Sequence, residues 1–309
     1  MVLPQRVTYL TSEIAGLPKR LGRLGMKRVI HDFGYDLKLA LPLAGFFLVF
    51  FITPLLMLIF VSLHTDIEMK QFGLVQFRKF LSDPYSLSVL GQTLLIGAET
   101  TALCLILGFP LAWLFIRSPS WLRGVLILII LLPLLTSVVV RTFAWIVILG
   151  RLGIVNSALM ALGLIDTPLR LLYSEGGLVI ALAQVHLPLM VLPIIAALSR
   201  IDPNLADASA ALGAGAWRTF LRITVPLTLA GIIAGCLLTY CMSLTAFITQ
   251  TLIGGGQMML MPGYIYQQVA AAQNWPFAAA ISVIFLVTVL AAVTAFNLLG
   301  RLAQGIEHG

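Results

Sequence analysis

The sequence predicts an all-α polytopic membrane protein with six transmembrane helices. Only 10% of its 309 residues are charged, whereas soluble chains carry about 25% charged residues. The mean hydropathy is +1.03. Six apolar runs are each long enough to cross a hydrocarbon core as a helix, which takes about 20 residues. None of these runs shows the two-residue alternation of an outer-membrane barrel strand.

The six runs follow one another along most of the chain. They lie at about residues 39–63, 89–116, 122–148, 176–198, 228–252 and 276–300. The polar and basic leader before them is too long for a signal peptide and has no small-residue cleavage site. We therefore predict a cytoplasmic N-terminal extension over 1–38, one transmembrane domain over 39–300 and a cytoplasmic tail over 301–309.

Lysine and arginine are unevenly distributed between the two sides of the predicted spans. The side that holds both termini and the loop 199–226 has thirteen, and the opposite side has five. Because basic residues accumulate on the cytoplasmic side, both termini and this loop are predicted to be cytoplasmic. The net charge of +7 then reflects orientation and contact with anionic membrane lipid. No basic domain indicates a nucleic-acid partner.

The cysteines and histidines predict neither a disulfide framework nor a metal site. All three cysteines fall within predicted spans, which argues against disulfides. The four histidines lie in separate regions without the spacing of metal ligands.

The external loops differ in character. Loop 64–88 predicts a short amphipathic segment at the interface, and loop 150–175 predicts a re-entrant or surface helix. Loop 254–274 opens with three glycines before a Met-rich stretch that contains Tyr264 and Tyr266. Glycines in this position predict a bend and a mobile loop.

The cytoplasmic segment "DASAALGAGAWRTFLRITVPL", residues 207–227, predicts a helix-turn-helix elbow. Asp202 and Pro203 suit the cap and the first position of a helix that runs to about Leu212. Gly213 is the expected stop, since glycine adopts the left-handed backbone without steric cost. Ala214 and Gly215 make the turn and a second helix follows, which we expect Pro226 to close.

The elbow combines small side chains with two arginines. The first helix is alanine-rich, which lets another surface approach its backbone, and Arg218 and Arg222 lie four apart on one face of the second. This combination suits a docking surface. The alternative is an ordinary interfacial connector that only returns the chain to the membrane.

The spacing of the elbow resembles the cytoplasmic "EAA" loop of binding-protein-dependent ABC importer permeases. That pattern is Glu-Ala-Ala, three residues, Gly, nine residues, then Ile-x-Leu-Pro. The matching positions here are Asp207, Ala208, Ser209, Gly213, Ile223, Val225 and Pro226. Asp for Glu, Ser for Ala and Val for Leu are chemically mild departures.

From about residue 39 to the C-terminus, the chain resembles spermidine/putrescine-type permeases. The resemblance rests on "VVVRTFAWIVILGRLGIVNSALMALGLIDTPLRLLYSEGG", "SRIDPNLADASAALGA", "GGGQMMLMPGYIYQQV" and "NWPFAAAISVIFL". It implies a small cationic cargo, a polyamine such as spermidine or putrescine, although relatives in this branch carry opines, aminoethylphosphonate or ferric iron.

The resemblance also implies a type I permease fold and a heteromeric complex in a bacterial inner membrane. The partners would be a second permease, two ATPase subunits and an external substrate-binding protein. In that family the elbow couples the ATPases to the membrane helices during alternating access. The coupling residues implied here are Asp207, Ala208, Ser209, Gly213, Ala214, Arg218, Ile223 and Pro226.

The chain itself is not expected to be an enzyme or to bind a cofactor. A Walker A loop requires a glycine before its lysine, and none of the five lysines follows a glycine. ATP and Mg²⁺ would be used by the partner ATPases.

Two charged residues in the apolar runs are candidates for the translocation pathway. Glu99 lies near the middle of the second run, where a charge needs a partner or an aqueous cavity; it could serve a cationic cargo, or be protonated or hydrogen-bonded to a neighbouring helix. Arg141 would repel such a cargo, so we expect it to pair with an acid such as Glu99 or to reach the external interface.

Other side chains of the fifth run could line the same pathway. Tyr240, Phe247 and Gln250 offer aromatic faces and an amide, with helix packing as the alternative role. Gly231 and Gly235 have the spacing of a close helix contact. We expect Tyr264 and Tyr266 to contact the external binding protein or the membrane interface.

Two other classes of protein remain as alternatives. A self-sufficient secondary transporter would show more ionisable groups within the spans and an internal repeat. A membrane enzyme or scaffold would show a convergent set of catalytic or metal-binding residues, which the sequence does not contain.

Overall fold

The computed structural model of the chain describes residues 42–202 and 204–305. The predicted N-terminal extension over 1–38, Pro203 and the last four residues lie outside the described part. The described residues are nearly all helical, with an isolated antiparallel bridge between His64 and Phe72.

The helices are numbered α1 to α13 in chain order. They are α1 Pro42–Ser62, α2 Val75–Ser82, α3 Pro84–Arg117, α4 Ser120–Leu135, α5 Val138–Leu149, α6 Ile154–Ala161, α7 Glu175–Leu198, α8 Asn204–Ala211, α9 Ala216–Thr219, α10 Val225–Leu244, α11 Phe247–Gly254, α12 Met261–Ala270 and α13 Trp275–Gly305. A π-helical turn, Phe220–Thr224, joins α9 to α10.

Six stretches of the described chain are helical, long and apolar enough to span a membrane, which confirms the predicted number. They are Pro42–Ser62, Pro84–Arg117, Val138–Ala161, Glu175–Leu198, Ala216–Leu244 and Trp275–Leu298, of which the third joins α5 and α6 across a turn at 150–153. Helix α4 is a shorter apolar helix.

Two of the predicted spans are wrong as continuous helices. The run 122–148 is divided into α4 and α5, because Thr136 and Ser137 leave the helical conformation, with ψ of 145° and 133°. The run 228–252 breaks at Thr245 and Ala246, between α10 and α11. Hydropathy records how apolar a segment is, and both breaks lie inside apolar sequence.

The chain divides into two compact units, Met1–Met57 and Leu58–Gly309. The described residues of the first unit, 42–57, are helical and mostly exposed. The second unit contains the described buried clusters, which combine residues of α2, α3, α4, α7, α10, α11, α12 and α13.

The centre of the second unit is the packing of α3, α7 and α10. Glycines bring the helices together: a Cβ at Gly231 would lie 2.6 Å from the Ala197 Cβ and 2.6 Å from the Pro193 carbonyl oxygen. A Cβ at Gly235 would lie 2.9 Å from the Met190 carbonyl oxygen. The predicted close approach at these two glycines is confirmed.

Side-chain caps fix the starts of two long helices. Asp83 accepts hydrogen bonds from the backbone N–H groups of Tyr85 at 3.3 Å and Ser86 at 3.0 Å, and from the Ser86 hydroxyl at 2.6 Å. These bonds, the Ser86 hydroxyl foremost, lower the pKa of the Asp83 carboxyl below its ordinary value. Ser174 caps α7 by accepting from Gly177 N–H at 3.2 Å.

The loops predicted to be external agree with the predictions in part. Loop 64–88 contains α2 and loop 150–175 contains α6, as short helices. Gly255 and Gly256 have positive φ and form the predicted bend. Of the Met-rich stretch predicted to be mobile, the residues from Met261 onward form helix α12, in which Met261 and Tyr264 are buried.

Candidate functional site

The first helix of the elbow, α8, begins as the sequence predicts. The Asp202 side chain accepts a hydrogen bond from Asn204 N–H at 2.9 Å, and the backbone oxygen of Asp202 accepts from Leu205 N–H at 3.1 Å. Capping by Asp202 is therefore confirmed, while Pro203 lies outside the described residues.

Gly213 ends this helix. Its φ is +79°, and two hydrogen bonds close the last turn: Gly213 N–H to Ala210 O at 2.9 Å and Ala214 N–H to Ser209 O at 3.1 Å. These are the two bonds of a Schellman motif. The predicted stop at Gly213 is confirmed.

Hydroxyl groups join the two arms of the elbow. The Thr219 hydroxyl donates to Gly215 O at 3.3 Å, and Ser209 Oγ lies 2.8 Å from Thr219 Oγ1. With the Thr219 proton directed at Gly215, Ser209 is the donor of the shared bond. Ser209, one of the departures from the "EAA" pattern, is buried and fixes the angle between the arms.

The second arm runs into the membrane without a stop, so the prediction that Pro226 closes it is wrong. The helix is continuous from Ala216 to Leu244. The π-turn directly before Pro226 carries a hydrogen bond from Val225 N–H to Phe220 O. This wider turn changes the backbone hydrogen-bonding pattern just before Pro226, which itself has no N–H to donate.

The surface of the elbow is open. Leu212 is 89% exposed and Trp217 is 72% exposed. Four of the eight predicted coupling residues are also exposed, namely Asp207, Ala208, Gly213 and Arg218, and so is Arg222. Ala214 and Ile223 are half-buried. Small, apolar and charged groups therefore share one accessible turn.

A cavity of about 260 Å³ lies behind the elbow. It is lined by the ends of α3 and α7 on one side, including Trp113, Arg117 and Leu198, and by Thr219 and Thr224 on the other. The Arg117 guanidinium lies 4.3 Å from the centre of the Trp113 ring.

The expected ion pair between Arg141 and Glu99 is wrong. Among the described side chains the ion pair found is that of Lys70 with Glu68. Arg141 instead donates to the Pro133 carbonyl oxygen and lies 3.4 Å from Thr136 Oγ1. It is 9% exposed and braces the break between α4 and α5.

Glu99 is half-buried on α3, and no described side chain forms a hydrogen bond or ion pair with it. It lies two residues after Gly97, where an added Cβ would meet Leu244 and Tyr240 of α10. Its role in the pathway stays a prediction.

The three candidates of the fifth run occupy different environments. Tyr240 is 7% exposed in an apolar cluster, and its ring lies 5.4 Å from that of Phe296. Phe247 is half-buried, with its ring 5.1 Å from that of Tyr266. Packing therefore accounts for the Tyr240 ring.

Gln250 on α11 is buried, and its Oε1 has no hydrogen-bond partner among the described residues. A Cβ at Gly263 of α12 would lie 2.7 Å from Gln250 Nε2, so a larger residue there would displace the amide. The amide belongs to the contact of α11 with α12, and its place in the pathway stays a prediction.

Sequence reasoning missed a layer of buried polar groups between α3, α7 and α10. Ser243 donates to Thr239 O at 2.8 Å, so His186 Nδ1 donates to Ser243 Oγ across 3.1 Å. The Thr100 and Thr239 hydroxyl oxygens are buried without a partner in the described chain. The sequence does show Ser, Thr and His residues within the apolar runs. It does not show that these residues lie close together in the fold.

The two tyrosines predicted to lie on the external surface differ in exposure. Tyr264 is buried and its Oη lies 3.0 Å from Ser86 Oγ, so its expected surface role is wrong. Tyr266 is 59% exposed. Within the described ranges no three His, Cys, Asp or Glu side chains are grouped as metal ligands.

Comparison with known proteins gives one family and a consistent fold. Residues 104–304 match the model of the "binding-protein-dependent transport system inner membrane component" family. The spermidine/putrescine transport system permease protein PotB of Escherichia coli (strain K12) is 34% identical over 245 residues, which cover 78% of this chain and 89% of PotB.

Two crystal structures of a bacterial ABC transporter that imports alginate share the fold. Each has a TM-score of 0.71 at 21% identity. The first covers 89% of this chain and 98% of its own. The second, a complex with an alginate pentasaccharide-bound periplasmic protein, covers 90% and 97%. The predicted type I permease fold is confirmed.

Proposed function

This chain belongs to the family of binding-protein-dependent transport system inner membrane components and is a permease subunit of an ABC importer, and we propose that it conducts a small cation of the polyamine class, spermidine or putrescine. The chain then forms part of a pathway that opens to each side of the membrane in turn. Membership in this family argues against the two alternative classes, a secondary transporter and a membrane enzyme.

The observation that carries the cargo proposal is the similarity to PotB over most of both chains. Glu99 adds a chemical reason, because a half-buried carboxylate without a cationic partner among the described side chains suits an ammonium group. Other cargoes of the same importer class, namely opines, aminoethylphosphonate and ferric iron, are the competing outcomes.

The elbow is proposed to dock on an ATPase subunit. Its small residues are exposed around Gly213, and Leu212 and Trp217 project apolar side chains beside them. The complex would contain a second permease, two ATPase subunits that use ATP and Mg²⁺, and an external binding protein. The alginate transporter was crystallised with such a periplasmic protein.

Uptake by the complete complex in proteoliposomes tests the cargo. We expect ATP-dependent uptake of labelled spermidine or putrescine, and a loss of about tenfold in Glu99→Gln, since a pathway charge is expected to contribute more than 1 kcal/mol. Glu68→Gln is the control, because Glu68 is exposed outside the spans. Uptake of ferric iron or aminoethylphosphonate in place of polyamine would refute the proposed cargo.

Cysteine labelling tests the proposed orientation, with both termini and the elbow cytoplasmic. In a variant without native cysteines, Leu212→Cys and Leu152→Cys each carry a reactive group at a site about nine-tenths exposed, 89% and 91% respectively. A membrane-impermeant maleimide should label position 152 in intact spheroplasts and position 212 only in inverted vesicles. The reverse pattern would overturn the orientation.

A further inference from the structure

Phe220 forms an aromatic contact between the elbow and α3. Its ring lies 5.5 Å from the Phe109 ring and 5.6 Å from the Trp113 ring, at interplanar angles of 84° and 88°. Both are edge-to-face arrangements, which depend on ring geometry and not only on apolar volume. Trp217, at the exposed start of the arm, stacks on Phe220 at 5.5 Å.

The position of Phe220 in the backbone is equally specific. It is the first residue of the π-turn, and its carbonyl oxygen accepts the hydrogen bond from Val225 N–H. A π-turn adds a residue to the helical turn, and such turns occur frequently at functional sites. Here the turn lies between the arm that is proposed to meet the ATPase and the membrane helix α10.

The packing around this contact is loose. The cavity behind the elbow separates other parts of α3, including Ile116 and Arg117, from Thr219 and Ile223 of the arm. Beside this cavity, a movement of the elbow can reach α3 only through side chains that are in contact. The rings of Phe220, Phe109 and Trp113 supply that contact.

Resting on the proposed function of the elbow, we propose that Phe220 is a positioning residue that passes the movement of the ATPase-docked elbow to helix α3. Helix α3 carries Glu99, and it packs on α7 and α10 through Gly108 and Gly97. A shift of Phe109 and Trp113 therefore moves the helix that holds the candidate pathway carboxylate. The alternative is that Phe220 only fills space.

Substitutions in the complete reconstituted complex separate these roles. We expect Phe220→Ala to assemble and to hydrolyse ATP, but to transport about tenfold less cargo per ATP, in line with the energies by which single residues alter coupling. Phe220→Tyr keeps the ring and should retain coupling, whereas Phe220→Leu keeps apolar volume and should not. Leu221→Ala is the matched control, because Leu221 is in the same π-turn and is 48% exposed.

A double substitution tests the route through α3. If Phe220 acts through Trp113, Trp113→Ala together with Phe220→Ala should lower transport per ATP no further than Phe220→Ala alone. Additive losses would overturn the proposal. It would also be overturned by full coupling in Phe220→Leu, by equal losses in Leu221→Ala, or by unchanged transport per ATP in Phe220→Ala. A wild-type complex that hydrolyses ATP without moving any cargo would refute the proposed function and this inference with it.

Discussion

The Ser209 hydroxyl donates to Thr219 Oγ1 across 2.8 Å and thereby holds the two arms of the elbow together. Ser209 is 8% exposed, so water has little access to its side chain. Thr219 in turn donates to the Gly215 carbonyl oxygen. The bond therefore gives a physical reason for serine at a position where the family pattern has alanine.

The direction of this bond predicts unequal effects at its two ends. Thr219→Val leaves the buried Ser209 hydroxyl without an acceptor and should cost about 1–3 kcal/mol, whereas Ser209→Ala leaves Thr219 bonded to Gly215 and should cost about 0.5–1.5 kcal/mol. Adding Ser209→Ala to Thr219→Val should recover part of the loss. Thermal unfolding of the purified variants measures this cycle, and equal or additive losses would contradict the assigned donor.

Gly213→Ala should loosen the end of α8. A φ of +79° is unfavourable for alanine, at a cost of about 1–2 kcal/mol, although open space surrounds the added methyl group. Proteolysis at the elbow should therefore accelerate. Gly215→Ala, at φ −69° and also in open space, should stay within about 0.5 kcal/mol of wild type. Similar proteolysis of both variants would show that the left-handed backbone is unimportant.

Gly231→Ala should separate α7 from α10. The new methyl group would lie 2.6 Å from the Pro193 carbonyl oxygen, which belongs to the backbone, and such overpacking costs about 1–3 kcal/mol. Gly91→Ala on α3 is the control, since nothing lies within 4 Å of its added Cβ. The melting temperature should fall in the first variant only. An unchanged melting temperature in both would mean that the helices yield easily.

Asn156 organises the segment between α5 and α7. It is fully buried, donates to Gly150 O and Leu169 O at 3.0 Å each, and accepts from Leu169 N–H at 2.9 Å. Asn156→Asp replaces the amide donor with an oxygen that faces two carbonyl groups, and should destabilise the protein by more than about 2 kcal/mol. Asn204→Asp, at an exposed helix start, is the control. Equal proteolysis rates in the two would refute this role.

Local chemistry explains why the elbow could be predicted from the sequence. Asp202 caps and Gly213 stops a helix through their own side chain and backbone, so a single sequence contains the required signal. The glycine spacing at 231 and 235 likewise identified a close contact. Apolar length identified six spans for the same reason.

Features that depend on neighbouring helices could not be predicted in this way. The π-turn before Pro226 has no sequence signature that distinguishes it from an ordinary helical turn. Arg141 was expected to pair with a carboxylate, but it donates to the Pro133 carbonyl oxygen near the end of α4, and its Nε has no partner among the described residues. Tyr264 was expected at the surface and is buried because α12 folds back against α3 and α13. These outcomes depend on tertiary contacts.

The glycine contacts between α7 and α10 limit how the elbow can move. One end of the elbow follows α7 and the other continues into α10, and these two helices meet backbone to backbone at Gly231 and Gly235. Close-packed contacts of this kind resist gradual sliding. We therefore expect a displacement of the elbow to move α7 and α10 together and not to bend the loop alone.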